Sequence, residues 1–168
     1  MTDIKSAIER AVEYLSDHPT EARYTDSMAR ATLGESLRVD IEGSDGDRIV
    51  TDMPSAVGGM GDEPSPGWLY RAAIASCVAS TIGMEAARAG LVLDSLEVVV
   101  DSESDDRGIL GMDDDVRSGP LSLRIRVQAE SDSDADGLLQ AVIERGAARC
   151  PVLDATRRAI EVELRIET

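Results

Sequence analysis

No apolar run in this 168-residue chain approaches the roughly 18 residues that a membrane span requires. Positive charge is scarce as well. Thirty-three Asp and Glu stand against seventeen Lys and Arg, a net charge of −16, and such a surface repels nucleic acid and anionic lipid. Lys5 is the only lysine, and phenylalanine is absent; the aromatic residues are Tyr14, Tyr24, Trp68 and Tyr70. An acidic, lysine-poor surface suits a protein working in concentrated salt, where screening suppresses self-repulsion. Nucleotide bias favouring Arg over Lys is the plainer alternative. The first residues, MTDIKSAIERAVEYL, contain no secretory core or cleavage motif, so a cytoplasmic location is expected. His18 is the only histidine and Cys77 and Cys150 the only cysteines, too few ligands at recognised spacing for a zinc site.

What remains is a chain of ordinary globular balance, 42% apolar, whose length fits one domain, or one domain with an appendage. Ile4, Ala7, Ile8, Ala11, Val12 and Leu15 recur at helical spacing over residues 3–16, and His18-Pro19 ends that helix. This helix and its polar connector make up residues 1–27; the main domain is 28–168. Residues 28–33 are a weak strand candidate. Leu37, Val39 and Ile41 alternate with polar neighbours, and Ser44-Asp45-Gly46 turns the chain into a partner strand at 48–52. A glycine-rich loop, 58–61, lacks a phosphate-binding lysine. Residues 67–89 are Ala-rich and apolar almost all round, which predicts a helix buried in the fold or in an interface, stopped by Gly90. Trp68, near its start, is expected to anchor the core. Strands follow at Leu96–Val100 and Leu121–Val127, with an exposed excursion at 104–119 between them. A helix at 134–148 is expected to turn Leu138, Leu139, Val142 and Ile143 inward, and Ile160, Val162, Leu164 and Ile166 mark a final strand. The order predicts an α+β fold with mainly antiparallel sheet.

Few residues offer chemistry. The acidic run 101–106 fails the calcium-loop pattern, with Asp106 and Met112 where glycine and glutamate belong, and reads as solvated charge. His18, at a helix end, is placed to cap carbonyls. The cysteines are two buried apolar thiols or a redox pair, since a permanent disulfide is not expected in a reducing compartment. Cys150 precedes Pro151, a residue favoured at the first helical position, so its sulfur is expected at a helix N-terminus, where the dipole lowers a thiol pKa. Cys77 lies mid-helix, facing Ala73, Ile74, Ser80, Thr81 and Met84.

The stretch PSPGWLYRAAIASCVASTIGMEAARAGL, followed much later by ARCPVLDATRR, resembles the family of osmotically inducible protein C and organic hydroperoxide resistance proteins (OsmC/Ohr). The resemblance covers residues 28–168. It implies an OsmC-like α+β fold in an intertwined homodimer, with two long central helices packed between wrapped sheets and active sites at the interface. It also implies a thiol peroxidase without a cofactor or metal. Cys77 would be the peroxidatic cysteine and Cys150 the resolving one, with an organic hydroperoxide as substrate and a dithiol such as dihydrolipoamide as reductant. The family glutamate, ten residues before the first cysteine, matches Gly67 here, and Glu63 is available in the loop to take its place. For the thiolate's arginine, the first strand pair offers Arg38 and Arg30. Two further readings stand beside the peroxidase: a non-catalytic OsmC-like stress protein binding an apolar small molecule, and a purely structural disulfide.

Overall fold

The computed structural model describes residues 3–132, 134 and 137–168. Two compact units divide the chain, one of residues 3–8 and 73–168, the other Glu9–Ala72. The elements in order are α1 (Ile4–Asp17), β1 (Ala29–Leu33), β2 (Val39–Gly43), β3 (Arg48–Thr51), α2 (Pro66–Ala89), β4 (Ser95–Glu103), α3 (Asp106–Ile109), β5 (Ser122–Glu130), α4 (Leu139–Ala148) and α5 (Pro151–Arg157). All strand pairing is antiparallel. The α+β composition expected from the sequence is therefore observed.

In the 9–72 unit, β1, β2 and β3 form a meander in that order. Gly46, at φ +90°, supplies the left-handed residue that the β2–β3 turn needs. The loop after β3 is held by Asp52, whose buried carboxylate accepts N–H bonds from Met53, Met60 and Gly61 at 2.7–2.9 Å. Burial pushes this carboxyl upward, but the backbone donors, Gly61 foremost, outweigh it and leave the pKa below its ordinary value. Gly59 is required there, because a Cβ would sit 1.8 Å from the Met53 carbonyl oxygen. Beyond α1, His18 donates from Nδ1 to the Tyr14 carbonyl at 2.9 Å and stacks on the Tyr14 ring, the capping role expected of it.

The second unit holds the buried apolar core: Ile74, Val78, Ile82 and Ala86 of α2, Leu91, Val142 of α4, Cys150 and Leu153 of α5. Each fully buried aliphatic side chain contributes about 1.5–3 kcal/mol. On α2 the buried residues recur every three or four positions, so one face is covered, whereas Ala73, Ser76, Ser80 and Met84 on the other are exposed. Pro66 opens the helix and the Ser65 hydroxyl caps the Trp68 N–H at 3.2 Å. At the other end Gly90, at φ +71°, and Leu91 donate back to the Ala87 and Ala86 carbonyls, a Schellman stop in which Leu91 is buried. β4 and β5 form a hairpin in register Asp101↔Arg124, where Asp101 also reaches Arg126 at 2.8 Å.

Three expectations need correction. Trp68 is 52% exposed and anchors no core in the single chain. The helix expected from 134 starts at Leu139, because Gly137 adopts φ +67° and the Asp134 carboxylate accepts the Leu138 and Leu139 N–H groups; residues 135 and 136 lie outside the described set. Leu138 is exposed accordingly. Finally, residues 159–168 form no strand: the alternation is present, but Val162 and Leu164 are both 81% exposed and pair with nothing among the described residues.

Candidate active site

The 73–168 unit brings the two cysteines together. Cys77 sits midway along α2, half-buried, and Thr81 Oγ1 donates to its carbonyl at 3.0 Å and to that of Val78 at 3.1 Å. Cys150 is fully buried at the junction of α4 and α5. It caps α5, its Sγ accepting the Leu153 N–H at 3.3 Å, with Pro151 in the first turn as the sequence indicates. The two thiols are free and lie near each other, close enough for the Cys77 thiol to act on the Cys150 pKa. The expected lowering of the Cys150 pKa is not found. Burial and the nearby Cys77 thiol push it up, and the Leu153 and Val152 N–H groups offset only part of that rise. A buried neutral thiol costs less than a buried thiolate, so desolvation prevails over a short helix's N-terminus.

Close packing fixes this meeting. A Cβ on Gly146 would lie 2.5 Å from Ile82 Cα, so α4 and α2 touch backbone to backbone between the thiols and the C-terminal part of α2. Beyond that contact lies Glu85, the one acidic residue of α2 and 5% exposed. Its carboxylate takes the Arg149 guanidinium on Oε1, Arg145 on Oε2 at 3.6 Å and Arg88 at 3.1 Å. Sequence reasoning passed over Glu85; a lone carboxylate within an otherwise apolar, Ala-rich helix was the available signal.

The other two candidate residues meet each other in the 9–72 unit. Arg38, just before β2, donates through its guanidinium to Glu63 Oε1 at 3.3 Å, with Asp40 at 4.0 Å on its other side. Both partners are partly solvent-exposed, so the pair contributes at most about 1 kcal/mol to folding. Arg30 lies on the fully exposed β1. Among the described residues no group of His, Cys, Asp and Glu side chains is arranged to hold a metal ion, and no helix is long and apolar enough to cross a membrane.

This arrangement matches known proteins in fold. An OsmC-like protein from Mycoplasma pneumoniae superposes with a TM-score of 0.67 at 15% identity, over 80% of this chain and 89% of that one. An organic hydroperoxide resistance protein from Legionella pneumophila gives 0.58 at 20% identity, over 80% and 91%. A putative organic hydroperoxide resistance protein from Vibrio cholerae, solved with captopril in one of its active sites, gives 0.56 at 19% identity, over 80% and 86%. No curated protein matches the chain. The OsmC-like protein family model matches residues 59–165, which include both cysteines and the helices that carry them, and the chain belongs to that family.

Proposed function

We propose that this protein is a thiol-dependent peroxidase that reduces organic hydroperoxides. The observation that carries the reading is the nearness of the Cys77 and Cys150 thiols, which are remote from each other in sequence. The Cys77 thiolate attacks the peroxide and the O–O bond breaks. The departing alkoxide takes up the proton that the thiol gave, yielding an alcohol and Cys77 sulfenic acid. Cys150 then attacks the sulfenic sulfur; the S–O bond breaks, the Cys150 proton leaves in water, and a disulfide forms. A dithiol such as dihydrolipoamide supplies two electrons and two protons to restore both thiols. Arg38, paired with Glu63, is the guanidinium assigned to Cys77, with Glu63 taking the part of the glutamate that Gly67 replaces. Residues 28–168 form the catalytic domain, and α1 with its connector is an appendage.

The protein works as a homodimer in this reading. β1 to β3 bury no apolar side chain in the single chain, and Val162, Leu164 and Ile166 stand open to water. An alternating apolar segment so exposed is stabilised by adding to a sheet edge, and a second copy supplies one. The small residues Ala73, Ser76 and Ser80 leave the open face of α2 able to approach a symmetry mate closely.

Steady-state turnover of cumene hydroperoxide against hydrogen peroxide, with dihydrolipoamide as donor, tests the activity. The organic peroxide should be preferred, Cys77→Ser should abolish turnover, and Cys150→Ser should arrest the protein as the sulfenic acid. Gly67 favours the second reading, a non-catalytic binder of an apolar small molecule. A retained ligand in native mass spectrometry with no turnover would establish that one instead.

A further inference from the structure

The Glu85 cluster has an asymmetry that helix packing alone does not require. Three guanidiniums converge on one buried carboxylate, and they come from different places. Arg88 belongs to the same helix as Glu85, three residues on, so that pair stays within α2. Arg145 lies in the last turn of α4, and Arg149 is the residue immediately before Cys150. Arg149 closes α4, its N–H bonding to the Arg145 and Gly146 carbonyls, and Cys150 opens α5. The two residues form the whole joint between the helices, and the Arg149 side chain ties that joint to α2.

The contacts set a register. Cys77 lies near Cys150, Ile82 abuts Gly146, and Glu85 holds Arg145 and Arg149. Along α2 these points span about 12 Å, from the rise of 1.5 Å per residue. Glycine contact alone permits α4 to slide or pivot on α2, because it supplies no directional bond. A charge-assisted bond from the joint to a buried carboxylate removes that freedom. We infer that Glu85 is a positioning residue for thiol–disulfide exchange: through Arg149 it holds Cys150 opposite Cys77 and so sets how readily the two sulfurs join. This extends the peroxidase reading, in which that joining is the second step, but it concerns the thiol pair itself and holds for any oxidant.

The test therefore uses glutathione rather than peroxide. The protein with two thiols and oxidised glutathione exchange to the Cys77–Cys150 disulfide and two reduced glutathiones, so electrons and protons balance. The full chain and the variants Glu85→Gln, Glu85→Asp, Arg149→Gln and Arg88→Gln are equilibrated in glutathione buffers. The oxidised fraction is read by alkylation and mass spectrometry, and far-UV circular dichroism reports the fold. The expected result is a disulfide equilibrium constant about tenfold lower in Glu85→Gln and in Arg149→Gln, the size of effect found for coupled polar networks. Glu85→Asp should recover part of it, and Arg88→Gln, which cuts only the bond within α2, should match the unmodified chain. Arg149 is 55% exposed, so its variant reads the link even where Glu85→Gln destabilises the fold. Folded Arg149→Gln with an unchanged equilibrium, or Arg88→Gln with an equal loss, would overturn the inference. An absence of peroxide turnover would remove the peroxidase reading and leave this result standing.

Discussion

The Cys150 thiol shows how a single residue's chemistry follows from what surrounds it. Burial and the neighbouring Cys77 thiol raise its pKa, against the pull of two backbone N–H groups. A raised pKa means that the folded state keeps a proton the unfolded chain has released. The stability this contributes is fully present below the unfolded thiol's value, about 8.5, and is lost as pH rises through the higher folded value. Denaturant titrations on the alkaline side should therefore show a steeper decline for the unmodified chain than for Cys150→Ser. Equal slopes would mean that the thiol is not buried as described. Gly146 is a second point of leverage. Gly146→Ala drives a methyl into the Ile82 backbone, which should cost about 1–3 kcal/mol of stability and slow disulfide formation by forcing α4 away from α2. Equilibrium unfolding and an alkylation time course read the two effects separately. The position of Cys150 at a helix start was legible in Cys150-Pro151, because proline's fixed φ suits the first helical position. The direction of its pKa was not, since it depends on burial, which no local pattern records.

At the scale of elements, α2 was legible in extent and incompletely so in role. Its alanines and its Gly90 stop are local signals, and the Schellman bonds show why they work. Which face is covered depends on partners remote in sequence, and for that reason Trp68 lies open and Glu85 went unnoticed. The start of α4 failed for a local reason: Gly137 takes a left-handed conformation that ends any helix begun at 134. Residues 159–168 fail differently. Alternation marks which side chains share a face, but a strand exists only when its N–H and C=O groups have an edge to join. If a second copy provides that edge, Val162→Asp combined with Leu164→Asp places two charges in the interface, and sedimentation velocity should show the dimer dissociating to monomer. A dimer that persists unchanged would remove these residues from the interface.

Across the whole molecule the −16 charge sets the conditions under which the fold survives. The surface ion pairs, such as Arg48–Glu42 at 3.1 Å and Arg158–Asp154 at 2.6 Å, are exposed, and carboxylates outnumber cationic side chains by sixteen. Repulsion among those carboxylates outweighs the pairs at low ionic strength, and screening relieves it. The Tm should rise steadily with added KCl; a flat or falling series would refute a surface adapted to salt. Fold class and thiol identity survive in the sequence because apolar periodicity and two unique cysteines are strong signals, whereas the meeting of those cysteines is a property of the folded chain alone. That meeting is the central claim, and mass spectrometry of the reduced protein after one equivalent of cumene hydroperoxide tests it most directly. The account predicts an intact mass lower by about 2 Da, with a Cys77–Cys150 cross-link in the peptide map that Cys77→Ser abolishes. Two free thiols after prolonged exposure would contradict it.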